Sequence, residues 1–100
     1  MKHNKLVRDN IPEIIIRNGD TPKTRVLDDA EYELELTRKL MEEVSEYVDA
    51  SSVEELADIL EVVYALAALH KASPEDLEKV RLKKATERGA FTKRIYLIES

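Results

Sequence analysis

The chain predicts an all-α fold: an antiparallel helix bundle completed by oligomerisation, with a short N-terminal helix and short β segments near 23–27 and 92–98. Three observations carry this. Leu, Ala, Glu and Lys dominate, while only two Gly and three Pro interrupt the 100 residues; such a composition favours helix. Apolar residues recur at helical spacing through the middle of the chain. Turn and capping residues fall between the periodic runs. The length suits one domain, covering 1–100.

The elements follow in order. Met1 to Arg8 reads as irregular. Asn10 is suited to cap a short helix, with Pro12 in its first turn and Gly19 at its exit. Ile11, Ile14 and Ile15 supply its apolar face, and Asn18-Gly19-Asp20 is a turn signal. A long helix starts at Asp28 or Asp29 and runs to about Asp49, with Leu36, Leu40, Val44 and Tyr47 on one stripe. Ser51-Ser52 breaks it. Ser51 with Glu54 and Ser52 with Glu55 both fit a capping box, and the former leaves Glu55 free; Ser51 is the expected cap.

The next helix runs from about Val53 to Lys71. Its second half, Ile59 to Leu69, is apolar nearly all round apart from Glu61. Such a helix is enclosed by other helices, and a chain this short has few to offer. That is the reason to expect a homo-oligomer, a dimer or a tetramer. Ser73-Pro74-Glu75-Asp76 starts a last helix that ends near Arg88 with Gly89 as its exit. Beyond it, the tail sets Phe91, Lys93, Ile95 and Leu97 against Thr92, Arg94, Tyr96 and Ile98, and is expected to form a short strand that pairs with 23–27.

Composition excludes several function classes. The chain has no cysteine, so neither disulfides nor thiolate zinc sites arise, and a cytoplasmic setting is expected. No apolar run is long enough to cross a membrane. His3 and His70 have no metal-ligand partner at useful spacing, and His70 suits a helix C-terminus. The net charge of −5 is unevenly spread. Acids crowd the stretch from Asp28 to Glu61, where Arg38 and Lys39 are the basic residues; bases crowd Lys79 to Arg94, where Glu87 is the acid. Nucleic-acid binding is disfavoured, because the chain is acidic and the basic tail lacks interleaved stacking aromatics.

The acidic middle contains a pattern. Glu42, Glu43 and Glu46 share an arc of roughly 100° on the long helix. Glu55 and Asp58 share a face of the next. Packed antiparallel across a short connection, the two helices bring Glu43, Glu46, Glu55 and Asp58 together. Four carboxylates form an all-oxygen site suited to Mg²⁺, with Mn²⁺ as the alternative. An acidic pair alone is common on solvated helices. Asp58 is the least ordinary of these residues, since Asp is a poor helix-interior residue and this one precedes an apolar wall. Lys39 sits one turn before Glu42 and Glu43 and can pair with them.

Glu43-x-x-Glu46 followed by Glu55-x-x-Asp58 resembles the paired acidic motif of the all-α nucleotide pyrophosphohydrolases, which include MazG-like enzymes, dimeric dUTPases and phosphoribosyl-ATP pyrophosphohydrolases. Lys39-Leu40 before the first pair and Arg88 to Phe91 after the last helix resemble the same family, and the opening Lys5 to Glu13 resembles the start of its phosphoribosyl-ATP pyrophosphohydrolase-like subgroup. The resemblance implies Mg²⁺-dependent cleavage of a nucleotide between the α and β phosphates. It implies metal ligation by Glu43, Glu46, Glu55 and Asp58, with Glu43 or Glu46 acting on the attacking water. Lys5, Arg8, Lys39, Lys83 and Arg88 are the candidates for holding substrate phosphates. One departure is plain: only the eight residues Tyr47 to Glu54 separate the pairs, so the hairpin is tight. The alternatives are a non-catalytic nucleotide- or metal-binding regulatory module and a helical dimerisation protein.

Overall fold

A computed structural model describes residues 3–100. Four helices follow in order: α1 (Ile11–Arg17), α2 (Asp29–Ala50), α3 (Val53–Leu69) and α4 (Pro74–Arg88). The architecture is all-helical among the described residues. No helix among them is long and apolar enough to cross a membrane. The segment ahead of α1 is irregular over its described part; Met1 and Lys2 lie outside the described residues.

Local chemistry sets the helix ends. Asp28 starts α2 by accepting a 2.8 Å hydrogen bond from the Glu31 backbone N–H. At its other end Ser51 turns into the left-handed region (φ 51°, ψ 46°), its N–H donating to the Tyr47 carbonyl. Ser52 returns to extended backbone and starts α3, accepting from the Glu55 N–H at 3.4 Å. The expected cap is thereby corrected: Ser52 caps α3, because Ser51 is spent on reversing the chain. Ser73 and Asp76 form a reciprocal capping box on α4, at 3.1 and 3.0 Å. Gly89 ends α4 at φ 85°, where glycine is favoured. Asn10 occupies the start of α1 but its side chain makes no cap bond.

The two-residue connection folds α2 and α3 into a tight antiparallel hairpin, the principal packing of the chain. Leu36 and Val62 are buried between them. α4 packs more lightly on α3.

The short β segments near 23–27 and 92–98 do not form: both stretches are irregular. Val26 is 97% exposed, with no neighbouring strand to supply its ladder bonds. A turn closed by the Arg94 N–H on the Phe91 carbonyl, with Arg94 at φ 57°, interrupts extended backbone at the start of the tail.

The chain is open. Its radius of gyration is 17.5 Å, against about 13 Å for a compact chain of this length. Its accessible surface is 9282 Å², against about 5,800 Å² from the scaling for folded monomers at 11.5 kDa. Met41, Val48, Val53, Ile95 and Ile98 are among its exposed large apolar residues.

Candidate metal centre

The hairpin opposes the second half of α2 to the first half of α3. One carboxylate oxygen from each of Glu43, Glu55 and Asp58 lies within 4.8 Å of the others. Mg²⁺ takes oxygen ligands at about 2.1 Å, so opposed ligands stand about 4.2 Å apart. The clustered oxygens, all within 4.8 Å of one another, are compatible with that spacing. Glu55 and Asp58 are half-buried.

Glu43 is the distinctive member. It is the buried charged residue of the described chain, 7% exposed. Its Oε1 lies 3.5 Å from Lys39 Nζ. Its Oε2 is buried with no hydrogen-bond partner. A buried carboxylate oxygen without a donor is costly. Burial pushes the Glu43 carboxyl above the usual range, and the charge of Glu46 adds to this; Lys39 pulls the other way, and Asp58 raises it further. A divalent cation at this point would remove the orphaned oxygen and the mutual repulsion together. The donor set, all hard oxygen, fits Mg²⁺.

Glu46 is exposed and stands outside the three-carboxylate group. Its charge is nonetheless felt by Glu43. Ser52 fixes Glu55 from two sides: its hydroxyl accepts from the Glu55 N–H and lies 3.5 Å from Glu55 Oε1. The capping residue of α3 is thus also a support of the cluster.

Three of the five expected phosphate-binding cations gather here. Arg8 Nη2 donates to Asp58 Oδ1 at 2.7 Å. Lys5 Nζ lies 3.7 Å from Glu42, and Lys39 Nζ lies 3.4 Å from the same carboxylate. Lys83 and Arg88 are exposed on α4 and do not line the cleft beside the cluster. That cleft measures about 590 Å³ and holds Arg8, Tyr32, Lys39, Glu43, Asp58 and Glu61 in its wall.

Tyr32 and Glu61 were not among the expected site residues. The signal was present: Tyr32, Leu36, Lys39 and Glu43 recur at helical spacing, so one face of α2 lines the cleft from end to end. Phe91 and Tyr96 of the tail are 96% and 88% exposed.

No family model matches the chain, and no solved structure matches it. Over 42 residues it is 55% identical to an uncharacterized protein of Mycolicibacterium smegmatis. The match covers 42% of this chain and 43% of that protein, so less than half of the relative is spanned.

Proposed function

We propose that this protein is a Mg²⁺-dependent nucleotide pyrophosphohydrolase of the MazG-like, phosphoribosyl-ATP pyrophosphohydrolase-like kind, cleaving its substrate between the α and β phosphates. The observation that supports this best is the clustering of Glu43, Glu55 and Asp58 carboxylate oxygens, together with the buried Oε2 of Glu43 that has no hydrogen-bond partner. A structural ion pair does not need such an atom, whereas a cation ligand does. The paired acidic motif of the sequence points the same way.

In this reading Glu43, Glu55 and Asp58 hold the ion, with Glu46 at the outer edge. When bound, the ion neutralises phosphate charge and makes a coordinated water more acidic. Lys39 steadies Glu43 through its ion pair. Arg8 lines the cleft, where a planar guanidinium suits phosphate oxygens; Lys5 pairs with Glu42 of α2 and is the next candidate. A carboxylate, Glu43 or Glu46, accepts the proton of the attacking water. The water oxygen bonds to phosphorus, the anhydride P–O bond breaks, and pyrophosphate leaves with that electron pair. Lys83 and Arg88 have a weaker case, since both stand apart from the cleft.

The protein acts as a homo-oligomer in this account. The support is the excess surface and the unpartnered apolar side chains on α2, α3 and the tail. Incubation with a panel of nucleotides and Mg²⁺, with both products measured, tests the activity. Release of monophosphate and pyrophosphate from at least one nucleotide is expected; Mg²⁺ binding with no turnover of any of them would sink it.

A further inference from the structure

Asp58 is asked to do two things. It contributes one of the three clustered oxygens, and its Oδ1 accepts from Arg8 at 2.7 Å. Arg8 belongs to the irregular segment before α1. Lys5, from the same segment, leans on Glu42 of α2. The segment is therefore clamped at two points, one on each helix of the hairpin. Between these points Leu6 and Val7 lie against the cleft, and Asp9 and Asn10 continue its wall. Among the described residues, no backbone hydrogen bond ties the segment to α2 or α3. Side chains alone hold it, and the Arg8 side chain is 56% exposed.

A guanidinium on Asp58 and a divalent cation on the same carboxylate are like charges a few ångströms apart, and each weakens the other. We infer that the segment Lys5–Asn10 is a strap, with Arg8 serving as the built-in counter-cation of Asp58, and that a divalent cation displaces it to open the cleft. The inference rests on the metal site proposed above. In the ion-free protein Arg8 offsets part of the repulsion among the carboxylates. On loading, the ion takes over that role and Arg8 swings free to meet an anionic ligand at the mouth. Because linkage is reciprocal, whatever the seated strap costs the ion, the ion costs the strap.

The chain has no cysteine, so Val7→Cys gives a single site for a nitroxide on the strap. Its electron spin resonance line is expected to be broad in chelator and to sharpen on saturation with Mg²⁺. In parallel, Mg²⁺ is titrated calorimetrically into the unlabelled full chain. Arg8→Gln is expected to bind Mg²⁺ about two- to fivefold more tightly, the range set by a partly exposed ion pair. Arg17→Gln, a charge removed from the far end of α1, is expected to leave the affinity unchanged because salt screens it. An unchanged line at saturating Mg²⁺, or an Arg8→Gln affinity equal to or weaker than wild type, overturns the strap while leaving the metal site standing. If neither wild type nor Arg8→Gln binds Mg²⁺, the strap and the proposed metal site fall together.

Discussion

Lys39 Nζ lies 3.5 Å from Glu43 Oε1 and leaves the second oxygen of that carboxylate buried without a donor. In the ion-free protein this is a local weakness. Glu43→Gln removes the charge at nearly constant shape. It is expected to stabilise the chain in chelator by about 1 kcal/mol, the scale of a buried unsatisfied group. It is also expected to abolish the stabilisation that Mg²⁺ gives wild type. Urea unfolding of both proteins, with chelator and with Mg²⁺, checks both halves.

The same carboxylate sets a pH dependence of unusual sign. A carboxyl whose folded pKa lies above its unfolded value binds more protons in the native state across that interval. Stability therefore falls as pH rises from the ordinary glutamate range through the raised Glu43 value. Asp76 behaves oppositely. The Ser73 N–H holds its pKa down, so its contribution is present above the ordinary aspartate range and is lost on acidification. Subtracting the pH–stability curve of Glu43→Gln from that of wild type, both in chelator, isolates the Glu43 component. The difference should become more unfavourable to wild type as pH rises. Mg²⁺ affinity should climb over the same interval, because the ligand must lose its proton.

Ser52 and Ser51 separate cleanly. Ser52→Ala removes the α3 cap and one support of Glu55, at a cost of about 1 kcal/mol and with weaker Mg²⁺ binding. Ser51→Ala touches neither, and its cost should be the smaller. Thermal unfolding and metal titration of the two variants decide it, and a reversed order would restore Ser51 as the cap.

The exposed apolar faces predict self-association. Sedimentation should give a species larger than a monomer at micromolar concentration. Paired charges at Met41→Lys and Val48→Lys, both exposed here, should shift it toward monomer. A wild type that sediments as a monomer would leave the excess surface without its proposed cover.

Much of this was legible in the residues. The long helix from Asp28 or Asp29 and the α4 start at Ser73-Pro74 are strong local signals, since each end is written in a few adjacent side chains. The pairing of Glu43 with Glu55 and Asp58 followed from the short hairpin. What misled was information that depends on distant surroundings. The segment 92–98 can be read as a strand, but a strand exists only where another chain segment supplies its hydrogen bonds. Two adjacent serines offer the same capping chemistry, and the choice between them depends on which one reverses the backbone. Spacing also suggested that Glu46 joins the cluster, whereas it lies exposed outside the three-carboxylate group. The Arg8–Asp58 contact joins residues 50 apart, a pairing that periodicity cannot express.

The most direct test of the central claim is ³¹P NMR of a nucleotide panel incubated with the protein in Mg²⁺ and in chelator. Wild type should convert at least one nucleotide to its monophosphate and pyrophosphate in Mg²⁺ only. Asp58→Asn and Glu43→Gln should be slower by about 100-fold or more, as expected when a ligand of a catalytic ion is lost. Spectra in which every nucleotide survives with wild type, or in which the two variants match it, would contradict the account.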